Sequence, residues 1–284
     1  MKFDQIKELE DEKFRRLTGV KKGTFSKMVD ILRQADGLKK SKGGRKNKLN
    51  LEEQLLMVLE YLREYRTYFH IGQNYGISES SAYKAVKWVE DTLVKHPNFA
   101  LPGRKALMKS DMNYEVVLID ATESPIERPK KKQKFYYSGK KKRHTLKTQI
   151  VVDKKTHQVI CTDFSNGKKH DFRLFKESKI LIHPKVKAIT DTGYQGIQKI
   201  HNNSELPKKK SKKNPLTKND KKNNRRLAGE RVLNENIIGM LKRFKIIADK
   251  YRNRCKRFGL RFNLISGIYN FELRQPVSNE VYYM

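Results

Sequence analysis

The chain predicts an α/β protein with an all-α front: helices alone to about residue 100, then a mixed sheet with flanking helices. Three observations carry this. Before residue 100, apolar residues recur at i, i+3, i+4 and i+7, the mark of one buried helical face. From Tyr114 onward, short β-branched apolar runs alternate with helical stretches. Between the two textures, Pro97 to Met112 follows neither period and reads as a linker.

In the front part, helices are expected near Asp11–Arg16 and Thr24–Leu38, before a basic loop from Lys39 to Lys48. Asn50 to Arg66 places Leu55, Val58, Leu59 and Leu62 on one face. A short helix fits Tyr68 to Tyr75, stopped by Gly76. Ser78 then suits the N-cap of a helix from Glu79 to Val94 whose inner face is Ala82, Val86, Val89 and Leu93. Helix, short helix, glycine-containing turn, helix is the helix-turn-helix pattern. Its last helix offers Ser80, Ser81, Lys84 and Lys87 outward, small and basic groups suited to a DNA groove and its phosphates. A plain three-helix bundle with a solvated face is the alternative.

Beyond the linker, Tyr114–Ala121, Thr145–Asp153 and Gln158–Phe164 read as strands, the last two joined by a polar turn at Lys154–His157. A helix fits Asp171–Ser178, and the strand Lys187–Thr190 follows. Three strands, a helical crossover, a fourth strand and a helix match the ribonuclease-H-like topology. Asn202 to Arg226 is too rich in Lys and Arg to bury itself and reads as a mobile basic loop on the DNA backbone. The expected domains are therefore 1–100 (helix-turn-helix), 101–112 (linker), 113–260 (α/β, with the basic loop 202–226) and 261–284 (a C-terminal segment).

Charge narrows the partners. The chain has 284 residues, with 64 Lys+Arg against 31 Asp+Glu and a net charge of +33. Such an excess favours polyphosphate, because each neutralised phosphate releases condensed counterions. Nucleic acid is the first partner to consider and an anionic membrane the second. No apolar run approaches the ~20 residues that span a bilayer, and the N-terminus lacks the apolar core of a signal peptide. Cys161 and Cys255 make neither a metal spacing nor a disulfide framework, and they read as reduced thiols of a cytoplasmic protein. The absence of G-x-x-x-x-G-K-[ST], of G-x-S-x-G and of a Cys–His pair leaves ATP use and acyl transfer unsupported.

Three carboxylates then stand out. Asp120 closes the run Val116–Ile119, Asp191 closes Ala188–Thr190, and Glu235 lies in a helical stretch between Arg231 and Lys242. Two strand-borne acids and one on a packed helix suit a pair of hard cations, which prefer carboxylate oxygens and activate phosphodiesters for attack. Asp111, Asp163, Glu123, Glu127 and Glu230 compete for these roles, with Glu230 nearest to Glu235.

The run Arg231-x3-Glu235-x6-Lys242, with Asp191-Thr-Gly193-Tyr194-Gln-Gly196 and Leu118-Ile119-Asp120-Ala121-Thr122, resembles the DDE transposases of bacterial insertion sequences. The similarity is to the IS5-type group, related to eukaryotic Harbinger elements, and it runs from about Val116 to Phe244. Ala228 stands where the group's signature has Tyr. The resemblance implies that Asp120 bridges two Mg²⁺ or Mn²⁺ ions, with Asp191 and Glu235 completing one each. Arg231 and Lys242 would hold phosphates. Water would free a 3′-hydroxyl at an element end, and that hydroxyl would attack target double-stranded DNA. Synapsis of two ends implies a homodimer or higher oligomer on DNA, in the cytoplasm with the bacterial nucleoid. His170-Asp171 resembles a recurring element of the same group, although Asp171 also suits a helix cap. Tyr136, Tyr137 and Tyr194 suit base stacking or core packing alike, and Trp88 suits packing. A DNA-binding descendant without catalysis and an RNA-binding protein are the alternative classes.

Overall fold

The computed structural model describes residues 3–41, 43, 47–109, 114–211 and 215–275. Asp111, the end of the expected linker, parts of both basic loops (42, 44–46 and 212–214) and residues 276–284 lie outside the described residues. The chain packs as two units: residues 1–61, 66–100 and 264–284 form one, and residues 62–65 and 101–263 the other.

In the first unit, helices α1 (Asp11–Thr18), α2 (Lys22–Lys40), α3 (Leu51–Glu64), α4 (Tyr68–Tyr75) and α5 (Glu79–Lys95) follow in order. The expected inner faces are the buried ones: Leu55, Val58 and Leu59 on α3, and Ala82, Val86, Val89 and Leu93 on α5. Gly76 ends α4 in the left-handed conformation at φ 63°, which a side chain resists. Ser78 accepts a hydrogen bond from the Ser81 backbone N–H at 3.2 Å and so caps α5. Tyr61 and Tyr68 stack at 4.6 Å, fixing α4 on α3.

The second unit is built on a six-stranded sheet. Its strands are β1 (Val116–Pro125), β2 (Tyr137–Ser138), β3 (Arg143–Asp153), β4 (Val159–Asn166), β5 (Lys187–Thr190) and β6 (Ser204–Glu205). The order is β2-β3-β1-β5-β6, with β4 paired on β3. β3 runs antiparallel to β1, β2 and β4, whereas β5 is parallel to β1 and to β6. Its helices are α6 (Gln133–Tyr136), α7 (Asp171–Ser178), which links β4 to β5, α8 (Lys218–Leu241) and α9 (Lys245–Ala248); α10 (Phe258–Arg274) starts in this unit and belongs to the first from Leu264 on.

β1 is covered on both faces. Val117 and Ile119 join Val151, Ile160, Phe175 and Tyr194 on one side. Leu118 meets Ile189 and Leu227 of α8 on the other. Alternation along a strand therefore places Asp120 on the α8 side.

Three expectations are corrected. Asp120 does not end its strand, since β1 pairs with β3 through Pro125. The polar alternation of Thr122 and Ser124, both buried, hides this continuation. The basic loop 202–226 is not loop throughout, because α8 begins at Lys218. A capping box starts it: the Asp220 N–H donates to Thr217 Oγ1 at 3.1 Å, and the Thr217 N–H donates to Asp220 Oδ2 at 2.9 Å. Of the expected segment 261–284, the described residues 261–275 do not stand apart, since α10 runs from Phe258 to Arg274 and Glu272 is buried, accepting the Lys21 N–H at 2.8 Å.

Candidate active site and nucleic-acid interface

Asp120 lies in mid-strand opposite Ile150. Burial pushes its carboxyl up to about 6; the Ala121 N–H, donating at 2.8 Å, pulls the other way, as does Arg231, whereas Asp191 and Asp171 push it further up. Asp191 follows the last residue of β5, one step beyond the registered pair Ile119 and Thr190. Its Oδ1 accepts the Gly193 N–H at 2.8 Å, which fixes the turn after β5. The parallel β1–β5 pairing thus sets the two aspartates side by side, Asp120 within its longer strand and Asp191 just past the carboxyl end of its own.

Asp171 joins them. It is not the helix cap, for His170 holds the N-cap position and Asp171 is the first residue of α7. Lys147 Nζ binds its Oδ1 at 2.7 Å and donates to the Lys169 carbonyl at 2.6 Å. The other oxygen packs on the Gly193 turn. A Cβ at Gly193 would lie 2.6 Å from Asp171 Oδ2 and 2.9 Å from Asp191 Oδ1, so both carboxylates occupy the space a side chain would need. Tyr194 is fully buried beneath, and burial raises its hydroxyl pKa, with Asp171, Asp120 and Asp191 adding to the effect. Lys147 was absent from the sequence reading. Its signal was available: a lysine sharing strand parity with core-facing Gln149 and Val151 needs a buried partner.

Glu235 is not gathered with them. Its side chain is 61% exposed, and Arg231 stands 3.9 Å away. The buried face of α8 is Leu227, Asn234, Ile237, Ile238 and Leu241, so the helix turns Arg231 rather than Glu235 toward the charge of Asp120. Among the described residues no group of three or more His, Cys, Asp or Glu is arranged to hold a metal ion. Glu235 thus stands apart from the two aspartates. Two carboxylates remain that fit a hard cation, since Mg²⁺ needs only one or two and keeps its waters. The rival Glu230 is tied to Lys154 at 2.9 Å and Arg226 at 2.6 Å, and Asp163 to Arg104 at 2.9 Å.

Lys242 caps the end of α8 and donates to the Glu123 carbonyl at 3.1 Å. Its pKa is lowered, chiefly by burial and further by Lys141. It shares a cleft of about 370 Å³ with Lys141, Lys147, Lys168, Glu123 and Asp171. Ala228 is exposed on α8. On the helical unit, Ser80, Ser81, Lys84 and Lys87 are all exposed along α5, and Ser81 is also engaged with Ser78 at 2.9 Å. Trp88 is partly buried with Lys39 Nζ 5.3 Å above its ring, a packing role. No helix is long and apolar enough to cross a membrane among the described residues.

Comparison with known proteins agrees with this geometry. Residues 119–270 match the family model "DDE superfamily endonuclease", and residues 47–99 match "Helix-turn-helix of DDE superfamily endonuclease". The chain is 50% identical over 273 residues to the "Probable transposase for insertion sequence element IS702" of Microchaete diplosiphon, covering 96% of this chain and 99% of that one. It is 28% identical over 186 residues to the "Putative transposase for insertion sequence element IS112" of Streptomyces albus G, covering 63% and 65% of the two chains. No solved structure matches. These matches cover most of the chain, a helix-turn-helix segment followed in sequence by the segment that carries Asp120 and Asp191: the chain belongs to the DDE superfamily endonucleases.

Proposed function

We propose that the protein is an insertion-sequence transposase that binds the terminal inverted repeats of its element, cleaves at their ends and transfers the freed strand into target DNA. The observation that carries this is the pair Asp120 and Asp191, brought together by adjacent parallel strands, with Asp191 adding to the cost of charging Asp120. A divalent cation relieves that cost.

In this reading Asp120, Asp191 and Glu235 are the catalytic acids. Asp120 and Asp191 would hold Mg²⁺ or Mn²⁺, with Glu235 completing a two-ion set. When bound, two such ions activate the attacking oxygen and stabilise the leaving one. The chain's own groups do the rest. Arg231 faces both Asp120 and Glu235, and a DNA phosphate drawn to Arg231 frees both acids from it. Lys242 and Lys141 line the cleft beside Glu123 and hold backbone phosphates. Ser80, Ser81, Lys84 and Lys87 of α5 meet the repeat DNA, Lys84 and Lys87 through its phosphates. The protein acts in the cytoplasm as a homodimer or higher oligomer on two element ends.

The test is nicking of a plasmid that carries the element's terminal repeats, in Mg²⁺, Mn²⁺ or Ca²⁺. Mg²⁺-dependent cutting that Asp120→Ala abolishes is expected, with binding but no turnover in Ca²⁺; a variant that cuts like the parent sinks the assignment. A binding-only descendant is the second reading, and the exposure of Glu235 is the observation on its side. It predicts binding in every cation and cutting in none.

A further inference from the structure

Beside the lysine-lined cleft of Lys242 and Asp171 lies a second pocket, of about 750 Å³, lined by Arg128, Lys134, Tyr137, His144 and Lys168. Gly139 and Lys168 line both cavities, so the two share a rim. The segment from Lys130 to Arg143 carries eight basic residues and no acid. Within this charge two aromatic rings stay in solvent: Phe135 is 56% and Tyr137 44% exposed. In the α/β unit, these are the two aromatic residues among the exposed large apolar ones. Exposed rings inside a lysine field keep apolar faces in water, which marks a binding surface rather than packing.

The walls are fixed in advance. Tyr137 pairs in register with His144 across β2 and β3, and their rings meet at 5.7 Å and 76°. The Lys168 N–H donates to the Phe135 carbonyl at 3.2 Å, and Arg128 Nε donates to Gln133 Oε1 at 2.9 Å. The volume lies within the ~300–1,000 Å³ of small-ligand sites. The chemistry asks for a flat π-face joined to a polyanion, which is a nucleotide. A paired base is out of reach inside its stack, whereas an unpaired one can be swung out onto a ring.

We propose that the Tyr137–His144 pocket takes an unpaired base from the DNA strand whose backbone crosses Gly139 and Lys168 into the lysine-lined cleft. This rests on DNA as the ligand and not on the carboxylate assignment, so it stands or falls without any cleavage being read.

The experiment uses the full chain in Ca²⁺ with two DNA probes of one sequence: a fully paired duplex and the same duplex with a single bulged 2-aminopurine. Stacking on a ring is worth about 1–3 kcal/mol per base, so the bulged probe should bind about 5- to 150-fold tighter, with its fluorescence quenched on binding. Tyr137→Ala should remove both the preference and the quench while leaving affinity for the paired duplex unchanged. Tyr137→Phe should keep them. Equal affinity for the two probes, or a preference and quench that survive Tyr137→Ala, would overturn the proposal. Thermal unfolding of both variants checks that the fold is intact.

Discussion

The sheet and helix α8 treat their acids in opposite ways. Asp120 and Asp191 sit half-buried on neighbouring strands, and burial with mutual repulsion suppresses the charge of Asp120. Glu235 stands in solvent with Arg231 beside it. The difference teaches where organisation resides. The strands store electrostatic cost at Asp120, cost that a divalent cation held there would relieve. On the helix the acid lies out in solvent, so it contributes only when something draws it in.

That contrast can be broken at four points. The largest effect is expected in cleavage: Asp120→Ala and Glu235→Ala should each lower plasmid nicking by on the order of a thousandfold, since such ions stabilise the transition state by several kcal/mol. Full activity in Glu235→Ala would remove the helix from the site. Next is the buried ion pair. Lys147→Met leaves Asp171 without its cation and should cost about 3 kcal/mol in urea unfolding, the low end for a broken buried pair because Asp171 is partly exposed. Adding Asp171→Leu should recover most of this loss.

Third, Asp120→Asn should stabilise the metal-free protein by about 1–2 kcal/mol at pH 8, a value reduced for the partial exposure of the site. The sign follows from a folded-state pKa near 6 against an ordinary 3.8. Below the ordinary value the carboxyl is neutral in both states and costs nothing. As pH rises, the unfolded chain ionises first, so the penalty on the fold grows and is complete above about 6. The gain should therefore vanish by pH 4 in thermal melts, and a gain independent of pH would show that charge is not its cause. The smallest effect is Glu235→Gln on stability, within about 0.5 kcal/mol for so exposed a pair. A larger loss would mean the helix acid is structural.

Some of this was legible in the sequence for identifiable reasons. The helix-turn-helix was readable because Gly76, Ser78 and the apolar positions of α5 are local signals. The α/β order was readable because its strands are apolar and its turns polar. Asp120 was misplaced at a strand end since Thr122 and Ser124 break the apolar run, although they are buried by neighbours no local pattern reveals. The start of α8 was missed under its lysines, even though Thr217 and Asp220 spell a capping box. Spacing placed Arg231 and Glu235 one helical turn apart, yet only the packing of α8 decides which of them meets Asp120.

One feature of β1 reaches further. The ladder with β3 continues five residues past Asp120 to Pro125, so this acid is moored in the interior of a rigid plate instead of at its fraying margin. Surrounding segments can then be lengthened or rewritten without displacing it. Amide exchange at Asp120 should be as slow as at Leu118, giving a fixed anvil on which differing DNA grips can evolve.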